Sequence, residues 1–110
     1  MSKEIEELLQ VITRILDERQ AEDILSIDVS KNTVLADFFV LASGTSSRHV
    51  RALSDEVQKA VSEKLQREPK HVEGKDNDHW ILIDYLDVVV HIFDRESRSL
   101  YSLERLWQGK

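Results

Sequence analysis

Trp80-Ile81-Leu82-Ile83-Asp84-Tyr85-Leu86-Asp87-Val88-Val89-Val90-His91-Ile92-Phe93 is the stretch on which the fold turns. Two apolar runs flank a short acidic turn, the pattern of a tight β-hairpin. Side chains alternate faces along a strand. With Leu86-Asp87 as a two-residue loop, Tyr85 opposes Val88, Asp84 opposes Val89, Leu82 opposes His91 and Trp80 opposes Phe93. One face then holds Ile81, Ile83, Tyr85, Val88, Val90 and Ile92, and reads as core. The other holds Trp80, Leu82, Asp84, Val89, His91 and Phe93. Large aromatics beside two ionisable groups suit a docking face better than a buried one. A three-residue loop would swap the parity of one strand and dissolve this division.

Outward from the hairpin, apolar spacing assigns the remaining elements. Ile5, Leu8, Leu9, Ile12, Ile15 and Leu16 recur at helical steps, which predicts an amphipathic helix over about 3–21 with Ser2 at its start. Residues 23–30 read as a first strand, and Ala36–Ala42 as a second, apolar enough after Asp37 to be covered on both faces. A polar turn, Ser43-Gly44-Thr45-Ser46-Ser47, leads to a second helix reaching about Gln66, with Val50, Leu53, Val57, Ala60, Val61 and Leu65 on one stripe. Pro69 blocks its continuation. His71-Val72-Glu73 is a short strand and 74–79 a polar loop. Asp94–Ser99 reads as a charged connection. Leu100–Trp107 reads as a closing helix with Leu100, Leu103 and Trp107 on one side, Trp107 closing the core. The order α-β-β-α-β-β-β-α implies one α/β domain over 1–110, a mixed sheet of about five strands with flanking helices.

The totals narrow the function. The 110 residues are 41% hydrophobic and carry a formal net charge of -6, with a pI near 5.2. Such a chain is poorly suited to gripping phosphate backbones and better suited to a basic partner, so little or no direct nucleic-acid contact is expected. Cysteine is absent, which removes disulfides and Cys-type zinc sites. The N-terminus shows no signal-peptide pattern and no stretch reaches membrane-spanning length, so no membrane contact and a cytoplasmic location are expected. His49, His71, His79 and His91 lack metal-type spacing. No metal or cofactor is called for.

Two segments together resemble a known family. One is Ala36-Asp37-Phe38-Phe39-Val40-Leu41-Ala42-Ser43-Gly44-Thr45-Ser46-Ser47-Arg48-His49-Val50. The other is the hairpin extended to Tyr101-Ser102-Leu103-Glu104-Arg105-Leu106-Trp107. From about Ala21 to Trp107 the chain resembles the ribosomal silencing factor family, RsfS, also called Iojap. The resemblance implies a nucleotidyltransferase-like fold without that activity. It also implies binding to the large ribosomal subunit through its fourteenth protein, which blocks joining of the small subunit and lowers translation when nutrients are scarce. One position departs from the family, which usually carries glycine where this chain has Leu86. A mirror-type two-residue loop wants positive φ there, so either the turn differs or Leu86 is strained.

On this reading the partner-binding residues are Trp80, Asp84, Tyr85, Asp87, His91 and Phe93. The aromatics serve as anchors, Asp84 and Asp87 receive Lys or Arg, and Tyr85 stands at the turn. His91 is expected beside this face, hydrogen-bonded to Asp84 or to a partner group. A homodimer burying the same face would compete with docking. The alternative is a nucleotidyltransferase-like enzyme, because a Gly-Ser turn between strand and helix can hold phosphates. That chemistry also needs paired carboxylates on an adjacent strand. Asp76-Asn77-Asp78 has suitable letters but sits in a loop, and Thr45 or Ser46 could simply cap the helix.

Overall fold

Ser2 opens the first helix, α1 (Lys3–Glu18), by accepting the Ile5 amide at 3.2 Å. Leu8, Ile12 and Leu16, four residues apart, form its buried stripe. Ser46 opens the second, α2 (Ser47–Leu65), accepting the His49 amide at 3.1 Å. Gln66 ends α2 in the left-handed region at φ 50°. This computed structural model describes residues 2–74, 76 and 79–101, with 100 and 101 by their backbone alone.

The strands are β1 (Glu22–Asp28), β2 (Phe38–Gly44), β3 (His71–Glu73), β4 (Trp80–Asp84) and β5 (Val88–Asp94). They form one sheet in the order β1-β2-β5-β4-β3. β2 and β5 run parallel at its centre and the outer pairs are antiparallel, so the sheet is mixed, as expected. The last helix differs from expectation. α3 spans Arg95–Tyr101 and begins where a charged connection was predicted. Asp94 caps it, its Oδ1 accepting the Ser97 amide at 2.7 Å. Its first turn is all charged or polar, so apolar spacing gave no signal of it. The expected roles of Leu103 and Trp107 lie outside the described residues.

The hairpin has the two-residue loop. The Tyr85 amide donates to the Val88 carbonyl at 2.9 Å. The register pairs Asp84 with Val89, Leu82 with His91 and Trp80 with Phe93. Leu86 sits at φ +76°, and the Asp87 amide donates back to the Tyr85 carbonyl at 3.0 Å. That bond closes a three-residue γ-turn of the rarer, strained sense around Leu86. Positive φ costs an L-residue about 1–2 kcal/mol, so the turn must be held from outside. Asp84 Oδ1 holds it by accepting the Leu86 amide at 2.7 Å. Arg67 holds it from the other side, donating to both Asp87 carboxylate oxygens at 2.6 and 3.4 Å and to the Tyr85 carbonyl.

Both faces of the sheet carry a cluster of buried apolar side chains. The first contains Leu8, Ile12, Leu16, Val50, Leu53, Val57 and Val61 from α1 and α2, packed on Val40, Ala42, Ile81, Ile83, Tyr85, Val88, Val90 and Ile92. The second contains Ile27, Val29, Ala36, Leu41, Val89 and Phe93, with Leu25, Phe39, Trp80 and Leu82 packed against it. It includes no residue of α1 or α2. β2 feeds both clusters, which accounts for its unbroken apolar run.

Candidate protein-binding face

Strand parity distributes the hairpin's side chains as the sequence implied, but burial does not follow the expected division. Phe93 is fully buried and His91 is 4% exposed. Neither can act as a surface anchor. Phe93 sits in the second cluster with Ile27, Val29 and Ala36, which arrive from β1 and from the segment joining it to β2, and His91 lies among the rings of Phe39, Trp80 and Phe93. Trp80, Leu82 and Phe39 remain half-buried at its rim. The candidate face is therefore a rim of half-exposed side chains around a sealed centre.

His91 occupies that centre. Its ring lies 4.7 Å from that of Phe39 edge-on, 5.8 Å from that of Trp80, and 6.2 Å from that of Phe93 in near-parallel stacking. Trp80 Nε1–H donates to His91 Nδ1 at 3.1 Å. This corrects the expected bond to Asp84 or to a partner. An Nδ1 that accepts leaves the neutral ring's proton on Nε2. That atom is buried and has no partner among the described residues. Burial pushes the His91 pKa down to about 4, so the ring is neutral near pH 7 and offers a partner no charge. Its role is to hold the indole of Trp80 in place.

Tyr85 was expected at the turn facing a partner. It is 1% exposed and lies in the first cluster, because its parity matches Ile81 and Ile83. Its hydroxyl is buried without a partner among the described residues, and burial pushes its pKa up to about 12. The Arg67 guanidinium stands 5.8 Å from the centre of its ring. Asp84 and Asp87 were expected to await cations from a partner. Both are engaged internally. Asp84 binds the Leu86 amide and its Oδ2 lies 3.6 Å from His71 Nδ1, while Asp87 pairs with Arg67. Their side chains keep 21% and 25% exposure, so both remain partly open to solvent. Nothing in the sequence near position 67 signals the contact of Arg67 with Tyr85, eighteen residues away.

The Ser-Gly-Thr-Ser turn is filled from within. The Thr45 amide donates to His49 Nδ1 at 2.9 Å, and His49 Nε2 lies 2.9 Å from the Arg19 carbonyl beyond α1. Ser46 caps α2. A Cβ on Gly44 would come within 2.9 Å of Val50 N and Val50 Cγ2, so glycine is required there for helix and strand to approach. These contacts account for the motif by packing and capping alone. A surface hollow of 630 Å³ runs along α1, lined by Gln10, Arg14, Asp17 and Lys64 among others and by no residue of this turn or of the hairpin. Among the described residues no group of three or more His, Cys, Asp or Glu could hold a metal ion. Asn77 and Asp78 lie outside the described residues. No described helix is long and apolar enough to cross a membrane.

The fold is shared. A crystal structure of a protein from Chromobacterium violaceum superposes with a TM-score of 0.91 at 34% identity, covering all of this chain and 89% of that one. The ribosomal silencing factor RsfS of Halalkalibacterium halodurans is 37% identical over 102 residues, which are 93% of this chain and 86% of that protein. The mouse protein named mitochondrial assembly of ribosomal large subunit protein 1 is 35% identical over 101 residues, 90% of this chain and 44% of its own length. The family described as "Ribosomal silencing factor during starvation" matches residues 2–110. The chain belongs to the ribosomal silencing factor family.

Proposed function

We propose that this protein binds the large ribosomal subunit through that subunit's fourteenth protein and prevents the small subunit from joining, so that translation falls when nutrients are scarce. The observation that carries this reading is the family match along residues 2–110. Inhibition of this kind needs no chemistry, only a bound body in space that the other subunit requires. We place the docking face on the hairpin rim. Trp80 supplies apolar contact, and the partly exposed carboxylates of Asp84 and Asp87 meet cations on the partner beside their internal partners. Tyr85, His91 and Phe93 act from behind, as the packing that keeps this rim rigid. About 800 Å² per partner suffices for specific docking. The net charge of -6 favours a basic partner. The same face could seat a second copy of the chain, and light scattering with and without large subunits separates the two uses.

Co-pelleting with purified large subunits tests the face. Asp84→Asn keeps an oxygen for the Leu86 amide and removes the charge, so its melting temperature stays near wild type. Asp84→Asn and Trp80→Ala are each expected to weaken binding roughly tenfold or more, as loss of a central interface residue does. Wild-type binding by both variants would remove the hairpin rim from the interface.

A further inference from the structure

Three large apolar side chains stand in water at one end of the sheet. Val34 is 101% exposed, Leu35 83% and Leu86 54%. They come from two segments that the fold ties together, since the Asp37 and Phe38 amides both donate to the Asp87 carbonyl, at 2.8 and 3.1 Å. Leu35 stands two residues before that junction on one side, and Leu86 one residue before it on the other.

The segment carrying Val34 and Leu35 is braced. Asp28 Oδ1 accepts the Ser30 amide and hydroxyl at 2.9 and 2.6 Å. The Val29 carbonyl accepts the Asn32 and Thr33 amides, and Thr33 Oγ1 accepts the Leu35 amide at 3.0 Å. The Val29 amide donates to the Asp37 carbonyl at 2.9 Å. Bonds this dense reduce the conformational freedom that binding would otherwise have to remove. Leu86 adds an independent observation. Its backbone is held at φ +76°, where a side chain carries a steric cost, yet its side chain is more than half exposed. The fold therefore gains little from a leucine there. Strain concentrated at one exposed apolar residue points to a use outside the fold.

Charge selects the occupant. Asp28, Asp37, Glu68, Asp84 and Asp87 surround this end, against Lys31, Arg67 and Lys70, and Arg67 is already committed to Asp87. A second copy would bring the same excess of acids, and an anionic lipid surface would be repelled. We infer that Val34, Leu35 and Leu86 form an apolar anchor that seats in a cation-rimmed hydrophobic socket on the ribosomal partner, extending the hairpin rim around the end of the sheet. This rests on the ribosome-binding reading above.

The test is co-pelleting of the full chain with purified large subunits, beside thermal melts. A Val34→Ser/Leu35→Ser double variant is expected to lose affinity roughly thirtyfold, and Leu86→Gly roughly fivefold. Leu86→Gly is also expected to melt at the wild-type temperature or higher, because glycine accepts positive φ. Binding and stability then move separately, which a purely structural role would not produce. Unchanged affinity in both variants, with Asp84→Asn still impaired, overturns the anchor and leaves the hairpin rim standing. A wild-type dimer that the double variant splits, with subunit binding intact, assigns the patch to a second copy and overturns it. Pelleting with phosphatidylserine vesicles, lost in the double variant, assigns it to membranes and overturns it equally. A wild-type chain that ignores large subunits defeats both readings together.

Discussion

Gly74→Ala is expected to lower stability by about 3–5 kcal/mol, because two severe costs coincide at one methyl group. Gly74 sits at φ +89°, just past the end of β3, where L-residues are rarely found. A Cβ there would also collide with the backbone carbonyl of Trp80, the first residue of β4. A flexible side chain could swing away, but a carbonyl in a strand moves only with its strand. The displaced element would be the one that carries Trp80, so loss of large-subunit binding should accompany loss of stability. Urea unfolding measures the first effect. A midpoint within experimental error of wild type would show that the β3–β4 connection tolerates a side chain at 74 and does not fix Trp80.

Acidification should be the second large effect. His91 has a folded pKa near 4 against an ordinary value of 6.5, with burial as the cause. The unfolded chain therefore binds a proton that the folded chain refuses. Its contribution to stability is fully present above pH 6.5 and is lost progressively as pH falls toward 4. Between pH 7 and pH 5 the loss should reach about 2 kcal/mol, and it approaches about 3 kcal/mol at the lower end of the window. Protonation also removes the acceptor for Trp80 Nε1–H, so the indole should loosen as the protein destabilises. His91→Leu separates this imidazole from the carboxylates. Glu22, Asp28 and Asp94 have pKa values below the ordinary carboxylate range, so their contributions are lost at lower pH. Denaturant midpoints for His91→Leu should stay nearly flat from pH 7 to 5. A variant profile parallel to the wild-type profile would show that another group governs acid sensitivity.

Parts of this structure were legible in the sequence because their cause is local. Alternation along 80–93 gave the hairpin register, down to the pairing of Trp80 with Phe93, since the side-chain period of a strand is fixed by its backbone. At Leu86 the sequence left two options, a different turn or a strained residue, and the structure has Leu86 at φ +76°. What alternation could not give was the covering of the second face. A strand's pattern separates two faces but does not say what packs on each. Val29 and Ala36 join Phe93 in one cluster and Phe39 stands against His91, all from outside the hairpin, in a way no spacing within 80–93 reveals. The same limit applied to Asp84 and Asp87. Their acidic character was plain, but their engagement by the Leu86 amide and by Arg67 depends on the folded path of the chain. α3 was misplaced for a different reason. Its first turn, Arg95-Glu96-Ser97-Arg98, carries no apolar period, and its one signal was Asp94 as a capping residue.

The capped turn at Gly44 shows how a motif can suggest chemistry that its surroundings do not require. Letters alone allowed a phosphate cradle. In the structure the Thr45 amide meets His49, Ser46 caps α2, and Gly44 admits Val50. Each feature of the motif has an occupant from this chain.

Ribosome-subunit association, followed by light scattering with purified particles, tests the central claim most directly. Preincubation of large subunits with this protein should slow and reduce formation of the joined ribosome, while preincubation of small subunits alone should leave it less affected. Joining at the uninhibited rate and extent, with the large subunit held in excess protein, would contradict it.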